Sequence, residues 1–122
     1  MILEILNALK SFVENQTGKT VIIEPTSPID LGQSAIFYEN TEIQDVVEPG
    51  TYRNLSTFSI AIVDTLENCV SAVNSILQNF SQNILGNGTV SWIRKVEKQA
   101  KEETEQYFVF FIFIEVAHYG LP

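Results

Sequence analysis

The chain has 122 residues, of which 45% are apolar, 11% aromatic and 18% charged. This describes one domain with enough apolar surface for a single core, and it excludes wholesale disorder. Fifteen acids against seven Lys and Arg leave a net charge of −8, which argues against coating a nucleic-acid backbone or an anionic lipid surface.

Ile2, Ile5, Leu6, Leu9, Phe12 and Val13 recur at three- and four-residue spacing, which predicts an amphipathic helix with one buried stripe. Gly18 is its expected stop. Residues 20–24 predict a short strand, and Pro25 and Pro28 mark residues 25–33 as loop. Residues 34–39 predict a second strand, with 43–47 continuing it after a turn, and Pro49-Gly50 is a turn signal. Residues 55–63 alternate, with Phe58, Ile60 and Ile62 on one face and Thr57, Ser59, Ala61 and Val63 on the other. Asp64 followed by Glu67 has the spacing of a capping box. Leu66, Cys69, Val70, Val73, Ile76, Leu77 and Phe80 then predict a helix of about four turns, whose other face carries little charge. The last third reads as a long hairpin. Val90, Trp92, Arg94 and Val96 alternate with Ser91, Ile93 and Lys95, and after a polar tip residues 106–118 return. The order predicts an α+β domain spanning residues 1–122, with two helices packed on one face of a mainly antiparallel sheet and a long C-terminal β-hairpin.

Residues 107–114 are apolar on both faces of their strand: Phe108, Phe110, Ile112 and Ile114 on one side, Tyr107, Val109, Phe111 and Phe113 on the other. Left open, such a run is an aggregation hazard, so the second face needs cover. Either another part of the chain lies over it, or another copy does. Charge is also sorted. Residues 20–52 hold six acids (Glu24, Asp30, Glu39, Glu42, Asp45, Glu48) and no base, whereas Arg94, Lys95, Lys98 and Lys101 place four bases in eight residues. The balanced segment 94–105 is either a solvated hairpin end or a projecting arm. In the second case, Arg94 and Lys95 would meet an acidic face, that of a neighbouring copy being one target.

Catalytic signatures are sparse. His118 is the only histidine and reads as a strand-end residue, exposed or half buried. Cys69 sits at a core position of its helix and reads as an inert thiol. The chain has no metal-ligand spacing, nucleophile elbow or phosphate-binding glycine loop, so no catalytic residue, metal or cofactor is expected. Cys69 cannot form an internal disulfide, and residues 1–10 show no basic leader or small-residue cleavage site, with Glu4 breaking the apolar run. No signal peptide, membrane span or oxidising compartment is therefore expected.

Taken as a layout, the chain resembles the tail terminator proteins (minor tail or tail completion proteins) of long-tailed bacteriophages. The resemblance covers the opening helix from Ile2 to Val13, the short strand leading to Pro25, and Ala35-Ile36-Phe37-Tyr38-Glu39 with its acidic, turn-rich insertion. It continues through Phe58-Ser59-Ile60-Ala61-Ile62-Val63 running into a capped helix, Val90-Ser91-Trp92-Ile93-Arg94 with its charged tip, and the aromatic final strand. It implies a homohexameric ring seated on the last ring of the tail tube, stopping tube growth and presenting a surface to the head's connector complex. Such a subunit is made in the host cytoplasm, ends in the virion neck and needs no cofactor. Tyr107, Val109, Phe111, Phe113, Arg94 and Lys95 would then lie between ring neighbours. Glu39, Glu42, Asp45 and Glu48 would line a lumen through which DNA passes without binding. A head–tail connector or adaptor of the neck, a small oligomeric α+β binding module, and a hydrolase or transferase with a carboxylate site are the competing readings.

Overall fold

The first apolar stripe forms α1 (Ile2–Thr17), which buries Ile5, Leu6, Leu9, Phe12 and Val13. In the computed structural model, which describes residues 1–99 and 107–122, α1 stops at Gly18. Its φ of 69° is the left-handed conformation glycine adopts at least cost, and its N–H donates to the Glu14 carbonyl at 2.8 Å. There follow β1 (Val21–Ile23), β2 (Ser34–Glu48), β3 (Thr51–Asp64), α2 (Leu66–Asn79), β4 (Val90–Lys98) and β5 (Phe108–Gly120). The five strands make one sheet in the order β1-β2-β3-β5-β4. β1 pairs parallel with β2, and the other pairs are antiparallel. The expected α+β architecture, with its C-terminal hairpin β4–β5, is the observed one.

Both helices cover the same face. Their buried residues meet Ile36 of β2, Phe58, Ile60 and Ile62 of β3, and Ile112, Ile114 and Val116 of β5. The helices hold each other through an edge-on contact of Phe12 with Phe80 (ring centroids 5.5 Å apart) and through Gln16, whose Oε1 accepts from Ser75 Oγ at 2.8 Å and Asn79 Nδ2 at 2.9 Å. The parallel pairing of β1 with β2 requires a crossover. With one face occupied by helices, residues 25–33 run over the other. Their end is tied to β3 by Gly32 N–H donating to the Val63 carbonyl (2.7 Å) and Val63 N–H to that of Gln33 (3.2 Å). This explains why Ala61 and Val63 are buried although they point away from the helices.

Three local expectations are corrected. No turn divides β2; it is a single 15-residue strand that absorbs irregularities as bulges at 38/40, 43/45 and 46/48 and turns only at Pro49-Gly50. The N-cap of α2 is Thr65, whose hydroxyl accepts from the Asn68 amide at 3.3 Å. Asp64 has instead been drawn into an ion pair. His118 is 1% exposed, fully buried rather than at the surface.

Candidate interaction surface

Residues directly opposite in a ladder share a face, so the register of β3, β4 and β5 sorts the side chains. Ile60 and Ile112 pair on the helix side; Ala61 pairs with Phe111, Ser59 with Phe113, and Val63 with Val109 on the opposite, helix-free side. Val109, Phe111 and Phe113 are half-buried and Tyr107 is exposed. The Phe111 and Phe113 rings lie 6.3 Å apart. Together with Pro25, Pro28, Ile29 and Phe37, the residues Tyr107, Val109 and Phe111 line an open groove of about 310 Å³. The crossover segment thus covers part of the second apolar face and leaves the rest open.

On β4 a bulge between Ile93 and Lys95 resets the register. It places Lys95 opposite Phe113, with Nζ 4.8 Å from the ring centroid, a cation–π contact. Trp92 lies opposite Glu115 and donates from Nε1 to Oε2 at 3.0 Å, while Arg94 Nη1 stands 3.6 Å from Glu115 Oε1. Trp92, Arg94 and Lys95 therefore occupy the rim of the open face along the outer edge of β4. Five of the six predicted interface residues fall on or beside the open strand face, and the sixth, Tyr107, at its margin. The charged tip that sequence reading set beside them, with Lys101 and Glu102, Glu103 and Glu105, lies outside the described residues.

The acids of β2 are gathered on the same side. Glu39, Glu42, Asp45 and Glu48 are spaced by three, which in a regular strand would send them alternately to the two faces. The three bulges undo this. Glu42 pairs with Leu55, Asp45 with Arg53 and Glu48 with Thr51, all on the helix-free side, and Glu39 Oε1 accepts from Ser59 Oγ at 2.6 Å. The opposite side of this end of the strand exposes Ile43 and Val46. The helix-free face thus runs from an acidic strand through an apolar centre to a cationic and aromatic edge.

Two polar arrangements went unseen in the sequence. Lys19 Nζ meets Asp64 Oδ2 at 2.7 Å, across 45 residues of chain, at the rim of a polar hollow of about 240 Å³ between the ends of the helices. Burial pushes the Asp64 carboxyl up, but hydrogen bonds from Lys19, Asn68 and the Thr65 amide outweigh it and hold the group below its ordinary value of 3.8. The second is a hydroxyl chain: Tyr38 Oη to Thr41 Oγ1 (2.6 Å), Thr41 to Ser56 Oγ (2.7 Å), and Ser56 to His118 Nε2 (2.7 Å). Burial, reinforced by the charge of the amino terminus, pushes the His118 imidazole below 6.5. Ser56 and His118 have the contact of a nucleophile and its base, yet both are sealed from solvent. Cys69 is equally buried, and burial pushes its thiol up, which suppresses the reactive thiolate. Among the described residues no three His, Cys, Asp or Glu side chains converge as a metal site requires, and no helix is long and apolar enough to cross a membrane.

No protein-family model and no curated protein matches the chain. Among solved structures, a chain in the virion of a native gene transfer agent particle superposes with a TM-score of 0.62 at 11% identity, over 95% of this chain and 92% of that one. The type 4 fimbrial biogenesis protein PilO of Pseudomonas aeruginosa aligns over 95% of this chain and 67% of its own, at 8% identity and a TM-score of 0.39, too low to carry an argument. The first likeness establishes a shared fold.

Proposed function

We propose that the chain is a structural subunit of a phage-like particle, a tail terminator that assembles as a homohexameric ring, caps the tail tube, stops its polymerisation and offers the surface for head attachment. The observation that carries the reading is the near-complete mutual coverage with a gene transfer agent virion chain. The helix-free sheet face, with its half-buried phenylalanines and sorted charge, supports it, because a subunit working only among copies and partners needs such a surface. The role is mechanical and asks for no cofactor or catalytic step. Subunits made in the host cytoplasm would end in the virion neck. The carboxylates of Glu39, Glu42, Asp45 and Glu48 would repel the phosphates of passing DNA, so that it does not stick. Since the matched structure is an entire virion, a connector or adaptor of the neck is the second reading.

The test is polymerisation of the tail-tube protein of the same particle, with and without this chain, followed by negative-stain microscopy. A terminator yields tubes of bounded length with an added ring at one end. Tubes that grow unchanged and uncapped would refute the role, and a ring bound to the head connector but not to tubes would favour the adaptor.

A further inference from the structure

The sheet has two outer edges of opposite character. β1 pairs only with Ser34, Ala35 and Ile36, so β2 from Phe37 to Glu48 has no outer strand among the described residues, its one outer contact there being the Tyr38 amide donating to Glu24 Oε1 at 2.6 Å. On the other side, β4 is the edge strand. Such edges are templates for pairing with another chain. The free edge of β2 carries Glu39, Glu42, Asp45 and Glu48, and that of β4 carries Trp92, Arg94 and Lys95. Both sets lie on the helix-free side.

We infer that the partner of these two edges is a second copy of the chain, docked head to tail with the acidic edge of β2 beside the cationic edge of the neighbour's β4. This deepens the ring reading and rests on it. Three observations fix the arrangement. First, like edges repel: β2 beside β2 sets carboxylate against carboxylate, and β4 beside β4 sets Arg94 and Lys95 against their own kind. An isologous dimer is therefore disfavoured, and a heterologous contact, which builds a ring when its rotation closes, is selected. Second, the heights agree. Asn40, Thr57, Glu115 and Trp92 lie in one row across the sheet, and Glu42, Leu55, Ala117 and Val90 in the next but one. A neighbour at the same height thus brings Glu39 near Trp92 and Arg94 and sets Glu42 level with Val90, two residues from Trp92, while β1 stops the contact below Phe37. Third, β2 and β4 run in opposite directions, each being separated from the other by antiparallel steps through β3 and β5. Rotation about an axis along the strands therefore presents the neighbour's β4 antiparallel to β2. The present partners of the β4 cations are Glu115, half-buried and 3.6 Å from the exposed Arg94 guanidinium, and Glu97, in an exposed pair with Lys95 at 3.1 Å; pairs with an exposed cation at these distances are weak enough to exchange. Glu48 extends past the contact, and Asp45 there keeps its ion pair with Arg53 at 3.5 Å.

The experiment uses the full chain and two charge-reversed variants, E39K/E42K and R94E/K95E, in sedimentation velocity at low and high salt. Circular dichroism verifies folding, and E39Q/E42Q is a milder second perturbation. Trp92 is the only tryptophan, so its emission reports occupancy of the edge directly. The expected result is salt-sensitive assembly of the unmodified chain and at least about tenfold weaker association of either variant alone. An equimolar mixture of the two should recover assembly, since each then offers the edge the other needs. Folded variants that assemble like the parent, a mixture that stays apart, or a monomeric parent at all concentrations would overturn the inference. Rings that form through these edges yet leave tail tubes uncapped would instead defeat the terminator reading, while reversal variants that still form capping rings would defeat the edge assignment alone.

Discussion

Ile112 and Phe113 are neighbours in sequence on opposite faces of β5, and truncating each to alanine tests whether one face is core and the other an interface. Ile112 is wholly buried beneath the helices against Ile60. Ile112→Ala removes methylene groups from a close-packed site and should cost about 2–5 kcal/mol at any protein concentration. Phe113 is half-buried, and its identified contacts are the Phe111 ring at 6.3 Å and Lys95 at 4.8 Å. An aromatic pair contributes about 0.5–1.5 kcal/mol, and an exposed cation–π contact about 0.5–1 kcal/mol. With about 1 kcal/mol more for the half of the side chain that is buried, Phe113→Ala in a dilute monomer should cost about 2–3.5 kcal/mol, so the concentration dependence rather than the size of the loss separates the two positions. Urea denaturation at several protein concentrations measures both. The Ile112→Ala midpoint should shift equally at all concentrations. The Phe113→Ala deficit should grow as the parent chain assembles, because bound subunits gain stability by mass action. Equal, concentration-independent losses at the two positions would mean that both faces are internal core, and would refute the assignment of an open face.

Two further outcomes follow from the polar groups. Because the folded-state pKa of His118 lies below 6.5, the unfolded chain binds the extra proton. The stability it contributes is full above pH 6.5 and is lost as pH falls toward the folded pKa. His118→Gln, able to keep a hydrogen bond to Ser56, should flatten thermal-melting profiles between pH 7 and 4, and parallel profiles would exclude His118 as their source. Thr65→Ala should lower stability by about 1 kcal/mol through loss of the cap hydroxyl, whereas Glu67→Ala, outside the observed cap contact, should change the chemical-denaturation midpoint little; the reverse order would restore Asp64 and Glu67 as the capping pair.

What can be read from local pattern was present in the chain itself. The stripe from Ile5 to Val13 with Gly18 behind it, the alternation around Phe58, Ile60 and Ile62, and the doubly apolar run of β5 specify helix, strand and strand, since each depends on a period that neighbouring residues alone express. That run also announced a second face in need of cover. The cover itself could not be read, because it comes from a parallel crossover, residues 25–33, whose path depends on which face the helices have taken.

Positions decided by distant partners were likewise illegible. Asp64 looked like a cap but is claimed by Lys19, 45 residues away, and the cap passes to Thr65. His118 looked like a strand end but is enclosed where β3 and β5 meet, bonded to Ser56. The acids of β2 illustrate the limit most clearly. Their three-residue spacing and their sign are properties of the sequence, and so is the clustering of Arg94 and Lys95. Their shared face is a property of the bulges, which exist because β2 must keep register with β3 over its whole length. Sequence by itself determined the elements, the α+β class and the separation of charge along the chain. Only tertiary structure turned that separation into two unlike edges of one sheet, since strand order and register are set by non-local pairing.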